Sequence, residues 1–368
     1  MSELQAETQV HSPRRLSPTA RAARKRRRAV AFGALLGAAL AVLAVTAATL
    51  GLHFDGSAAS STSRLKSKAG RSAASKRASR GIRVTATVKP IGNLASGISA
   101  GSAVALNSAG ALFFGGLDSA ATPLDEIQSF DGTSTSSPGQ LPVPLAGSGA
   151  ARLGSSVYLF GGADSDPTSS ILALSSTGAN PTNVGELPQP TVDAAVAVIG
   201  DTAYVIGGYS GSADLDSIVS FSAANGANNV ATLPQPLTDA AAVAVGGEIY
   251  IVGGSESGTA SKAIYRFDPN SDKVSKLKGA LPIALTQTAV ASLDHQIIVL
   301  GGQGNSSGSE TDAIFSIAPS SGHVTRIGSL PLELAGADAV GLAGKILLGG
   351  GVEPSGQASS TIYAIKVS

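Results

Sequence analysis

The 368-residue chain has no cysteine and no tryptophan, a single methionine, and aromatic residues at only 4%. Without cysteine there are no disulfides, thiolate metal sites, cysteine nucleophiles or lipidated-cysteine anchor. Histidine is nearly as scarce. His11 and His53 lie in the first 53 residues, and His295 and His323 fall in the turn-like stretches "LDHQ" and "PSSGHV". Neither turn offers a second histidine at ligand spacing, so both read as exposed turn residues, and no metal or other cofactor is expected. No nucleophile–base pair and no Gly-rich loop opening a helix is visible. With large side chains so rare, any core must come from small aliphatic residues. The 45 glycines point to many tight turns.

The net charge of +1 hides two unlike segments. Residues 1–88 carry 16 Lys/Arg against 3 Asp/Glu, and the remainder carries 10 against 22. The basic cluster "RAARKRRR" (residues 21–28) precedes 24 uncharged, mostly apolar residues, 29–52. As a helix that run would measure roughly 36 Å, enough to cross a hydrocarbon core of about 30 Å. The expectation is a basic cytoplasmic tail at 1–28, a single-pass transmembrane signal-anchor helix at 29–52, and an extracytoplasmic remainder. Secretion after signal cleavage is the competing reading, although a cleaved signal usually has an apolar stretch of only about 7–15 residues. Residues 53–81 are rich in Ser, Ala, Gly and Lys/Arg and read as a flexible basic linker with a possible contact to an anionic surface. Nucleic acid is not expected, because the basic stretch has no interleaved aromatics.

From residue 82 onward the chain repeats. "LPQPTVDAAVAVIGDTAYVIGG" (187–208) returns 46 residues later as "LPQPLTDAAAVAVGGEIYIVGG" (233–254). Gly-Gly doublets occur at Gly115, Gly161, Gly207, Gly253, Gly301 and Gly350, spaced by 46, 46, 46, 48 and 49. Twenty residues before the last five stands a Leu-Pro pair, at Leu141, Leu187, Leu233, Leu281 and Leu330. A fixed period of this size marks stacked supersecondary units. Each unit reads as four short strands, a to d: an apolar strand a, a tight turn, strand b ending in the doublet, a variable loop, strand c beginning with isoleucine, and strand d. Strand a is apolar on both faces, so a unit cannot bury it alone, but six units in a ring can. The last unit lacks strand d, and a matching strand stands at the start, within "GIRVTATVKPIGNL" (81–94) at residues 82–89, which would close the ring.

The doublets, the variable loops, the stretch "FDPNSDKV" (267–274), and Tyr158, Tyr204 and Tyr250 three residues before their doublets resemble the Kelch repeat. The resemblance implies an all-β, six-bladed β-propeller over residues 82–368. The sequence departs from it on strand d, where the usual tryptophan is replaced by Val184, Val230, Val274 or Val324. Two enzyme types resemble it at this level. The copper oxidases need a cysteine that this chain lacks. The sialic-acid mutarotases would need an arginine clamp for a carboxylate, and Arg152 on strand a is the one candidate near the axis.

Because strand direction alternates, the b–c and d–a loops share one rim. Fifteen of the 22 acids in residues 89–368 fall there, including Asp125, Asp216 and Asp312. Six residues after each Leu of Leu-Pro come Gly147, Asp193, Asp239, Gln287 and Gly336, with Gly101 as the match in the irregular first unit. This is where strand a enters the axial channel. Asp193, Asp239 and Gln287 are therefore expected at its mouth. Variable loops on a rigid frame suit binding. The expected function is a non-catalytic module for an extracytoplasmic protein or glycan, with a carbohydrate enzyme of the mutarotase kind as the alternative.

Overall fold

The computed structural model describes residues 84–368. The expected tail, membrane helix and linker lie outside the described residues. Among the described residues, no helix is long and apolar enough to cross a membrane. Six four-stranded antiparallel sheets follow one another along the chain, and a two-residue hairpin decorates the b–c loop of the fourth. In each sheet the strands run in spatial order a-b-c-d. The third, for example, consists of Ala195–Ile199, Thr202–Ile206, Ser217–Ser222 and Gly226–Thr232.

The sixth sheet is assembled from both ends of the domain. Its strands a to c are Ala335–Leu342, Lys345–Val352 and Thr361–Val367, and its outer strand is Ala86–Asn93. Ala86 pairs with Val367 and Asn93 with Thr361. The closing strand, Ala86–Asn93, thus lies a few residues later than the expected 82–89, because pairing with residues 361–367 sets its register. The closure itself is as the sequence implied.

Packing explains why six units hold together. There are six apolar clusters, and each lies between two adjacent blades. Leu112 and Phe114 on strand b of the first blade pack with Leu159 and Leu172 of the second. Ala111 and Phe113, the alternate residues of that strand, pack with Leu347 and Ile362 of the sixth. Period-two alternation thus sends successive side chains to opposite neighbours. The position of the missing tryptophan stays thinly filled: Val184 is 50% exposed. The volume is supplied from strand c instead, three residues after its isoleucine, where Phe130, Phe221 and Phe267 are buried. Phe221 meets Tyr158 of the preceding blade at a centroid distance of 5.0 Å, and Phe267 meets Tyr204 at 5.5 Å.

The Gly-Gly doublets fasten the seams. At Gly161 and Gly162 φ is +61° and +94°, a backbone region costly for residues with a Cβ. A Cβ on Gly161 would lie 2.1 Å from the carbonyl oxygen of Thr191, in the crossover to the third blade. The N–H of Gly162 donates to that same oxygen at 2.8 Å. Gly207 and Gly208 repeat the arrangement against Leu237, and Gly253 and Gly254 against Leu285. The repeat is conspicuous in sequence because this spot tolerates only glycine.

Candidate functional site

The inner strands surround an axial channel whose mouth is a ring of six residues, one from each blade: Ala100, Gly147, Asp193, Asp239, Gln287 and Gly336. Each N–H donates to the carbonyl of the ring residue in the blade before it, at 2.8–3.0 Å, and Ala100 donates to Gly336 to complete the circle. All six have left-handed backbones, with φ between +49° and +63°. The first-blade member is Ala100, correcting the expected Gly101. The first unit spaces its buried Leu94 one residue further from the doublet than the others do, which moves the register by one. Gly101 lines the channel just inside the ring.

Below this ring lies a cavity of about 210 Å³, walled largely by alanine and glycine from the entrances of all six inner strands. Asp193, Asp239 and Gln287 stand at its mouth, as their spacing implied. The Gln287 side-chain amide donates to Asp239 Oδ1 at 3.4 Å, and the Thr238 hydroxyl donates to Asp239 Oδ2 at 3.4 Å. Asp193 leans across the seam toward the second blade. A Cβ on Gly147 would come within 2.1 Å of Asp193 Oδ1, so the glycine there makes room for the carboxylate. Ser102 and Ser148 share a hydrogen bond of 3.2 Å on the opposite wall.

A third carboxylate was counted with the rim loops in the sequence but belongs to the cavity. Asp338 is on strand a of the sixth blade, two residues inside Gly336, and it lines the channel. Its Oδ2 is shut off from solvent and has no hydrogen-bond partner. That oxygen faces the first blade, 3.1 Å from where a Cβ on Gly101 would stand. Burial pushes the Asp338 carboxyl up to about 7, since desolvation penalises the charged form. The side chain as a whole keeps some exposure to the channel. The signal in the sequence was the residue type: the same register elsewhere holds Ser102, Gly149, Ala195, Ala241 and Ala289.

The remaining candidates lie elsewhere. Asp125, Asp216 and Asp312 immediately precede strand c, where their main-chain carbonyls accept from the N–H of Leu141, Leu233 and Leu330 at 2.7 Å. None lines the cavity. Asp312 forms an ion pair with Arg326 at 2.7 Å, with both side chains more than a third exposed, so the pair is worth at most about 1 kcal/mol. Arg152 does not reach the cavity either. Its Nε donates to the carbonyl of Ala105 at 2.7 Å and its guanidinium to that of Ser176 at 2.9 Å, on the rim of the a–b and c–d turns. Its pKa is lowered by burial. His295 and His323 are exposed, as expected of turn residues. Among the described residues, no group of three or more His, Asp or Glu is placed to hold a metal ion.

Residues 236–279, which span the fourth blade, match the Kelch motif family. A solved structure, described as the structure of YjhT, aligns with a TM-score of 0.66 at 15% identity, covering 76% of this chain and 99% of that one. At that identity the likeness speaks to the fold alone. No curated protein matches the sequence. The chain folds as a six-bladed β-propeller whose fourth blade carries the Kelch motif, a fold that suggests a binding or interaction module.

Proposed function

We propose that the propeller is a non-catalytic interaction module that engages a cationic protein partner at the axial mouth. The observation that carries this reading is the charge of the cavity. Asp193, Asp239 and Asp338 line it, and none of its lining residues is Lys or Arg. The loop rim around it is acidic as well, so a basic partner is steered toward the mouth at low ionic strength. An uncharged glycan gains nothing from that field. Catalysis on a sugar acid would require the opposite sign, a convergent arginine clamp, and Arg152 is occupied by two carbonyls on the other rim.

The test is calorimetric titration of the full chain with a polylysine peptide in low salt. The wild type is expected to bind with an affinity that falls as salt rises. The Asp193→Asn/Asp239→Asn double variant should bind at least tenfold more weakly. No binding by the wild type, or equal binding by both proteins, sinks the proposal.

The proposal extends to location. The apolar run at 29–52 and the basic cluster before it support an anchored, extracytoplasmic propeller. The closing strand enters at Ala86 on the rim opposite the ring, which favours a mouth facing away from the membrane. Protease added to intact cells should cut the propeller and spare residues 1–28. A propeller recovered from the medium, free of cells, would overturn the anchor.

A further inference from the structure

We infer that the partner carries aliphatic side chains beside its cationic group, and that Val143, Ile283 and Leu332 receive them on the rim around the axial mouth. The inference rests on the cationic-partner reading and names the apolar half of the surface that the partner must match.

Five large apolar side chains are exposed among the described residues, and three of them, Val143, Ile283 and Leu332, stand at one position of the repeat. Each comes two residues after the leucine of Leu-Pro and four before the ring member of its blade. Their exposures are 49%, 40% and 43%. Exposed aliphatics scattered singly over a surface need no explanation, but recurrence at one register does. The loop geometry excludes collapse into the core. Leu141 and Leu145, on either side of Val143, are buried, and their N–H groups donate to the carbonyls of Asp125 and Leu124 at 2.7 and 2.9 Å. Leu281 and Leu285 flank Ile283 in the same way, and Leu330 and Leu334 flank Leu332. A loop pinned at both ends holds the residue between them at its apex. The fold does not require that residue to be apolar, since the other three blades place Ser96, Gln189 and Gln235 there.

The distribution around the ring identifies the occupant. The ring carboxylates Asp193 and Asp239 belong to the third and fourth blades, whose apex residues are the two glutamines. The aliphatic apices belong to the second, fifth and sixth blades, so they border the acidic sector on both sides and stand across the axis from it. A purely cationic ligand gains nothing from them, and a surface of anionic lipid is repelled by the carboxylates. A protein surface in which Lys or Arg is bordered by Leu, Ile or Val satisfies both halves of the rim. The chain's own basic stretch, residues 53–81, holds one leucine and no valine or isoleucine, so it offers the charge without the apolar half.

The probes are polylysine and a peptide that alternates lysine with leucine and has the same number of lysines, each titrated at low salt into the full chain. The alternating peptide should bind the wild type about tenfold more tightly than polylysine does. The Val143→Gln/Ile283→Gln/Leu332→Gln variant, which copies the apex residue of the third and fourth blades, should lose that advantage and keep its polylysine affinity. A second measurement does not depend on affinities. The chain has no tryptophan, so Leu332→Trp places a single fluorescent reporter at an apex. Its emission should shift to the blue when the alternating peptide saturates the protein, and that of Gln235→Trp should shift less. Equal affinity of the alternating peptide for the wild type and the triple variant overturns the inference, as do equal shifts at the two reporters. If polylysine binds and the alternating peptide binds no more tightly, the inference fails and the cationic-partner reading stands. If neither binds the wild type, both fall.

Discussion

A chain from which residues 84–93 are deleted should lose the cooperative melt of the propeller and aggregate. The closing strand Ala86–Asn93 supplies the whole outer edge of the sixth sheet. It also delivers Ala86 and Val88 to the apolar cluster between the fifth and sixth blades, and Ile91 to the one between the sixth and first. Deletion strips the ladder from Thr361–Val367 and leaves that strand as an exposed edge, a template for pairing with another chain. Each lost ladder bond costs about 1 kcal/mol net, and the half-buried side chains of Ala86, Val88 and Ile91 each add less than the roughly 1.5–3 kcal/mol of full burial. Together these approach the 5–15 kcal/mol that a typical domain has in total. Calorimetry and size-exclusion chromatography provide the check. An unchanged melting temperature and a monomeric profile would mean that the ring does not depend on this strand.

The second large effect should appear on replacing Asp338 with asparagine, and it should depend on pH. The carboxyl titrates near 7 in the folded protein, raised by burial from an ordinary value of 3.8. Between those values the folded state holds a proton that the unfolded chain releases. Stability therefore falls as pH rises through that window, and the penalty is complete above about pH 7. A shift of this size corresponds to at most about 4 kcal/mol, and water in the channel reduces it. Asparagine keeps the shape and removes the ionisation. At pH 8 the Asp338→Asn protein should melt several degrees above the wild type, and near pH 4 the two melting temperatures should converge. A difference that stays constant across this range would show that Asp338 is not desolvated in the folded state.

The sequence revealed most where sterics leave no alternative. A left-handed pair pressed against a neighbouring carbonyl can only be glycine, so the doublets at Gly161 and Gly207 announce their blades. The buried leucines before them and the fully buried isoleucines opening strand c are nearly as constrained. The ring member of the first blade was harder to find. Alanine carries no mark of a left-handed backbone, and Ala100 adopts one because its N–H and carbonyl are both engaged by neighbouring blades. Sequence spacing also fixes position along a strand but not distance from the axis. Asp125, Asp216 and Asp312 share a register with one another as neatly as Asp193 and Asp239 do, yet each stands immediately before strand c, two strands out from the channel. Arg152 is on the inner strand but at its far end, so its reach serves the opposite rim. Asp338 was visible as an acid in a position otherwise given to small residues, but its burial depends on the seam with the first blade, which only closure creates.

The ring of six hydrogen bonds bears on how the molecule can open. A linear array of repeats frays from its ends, since a terminal unit has one neighbour to lose. Here every ring amide donates to one blade and every ring carbonyl accepts from another, so no unit is terminal. Detaching any single blade breaks two bonds of the circle and two apolar seams together. Partial unfolding by one blade at a time is thereby penalised on both sides, and the amide protons of Ala100, Gly147, Asp193, Asp239, Gln287 and Gly336 are expected to exchange together, on loss of the circle as a whole.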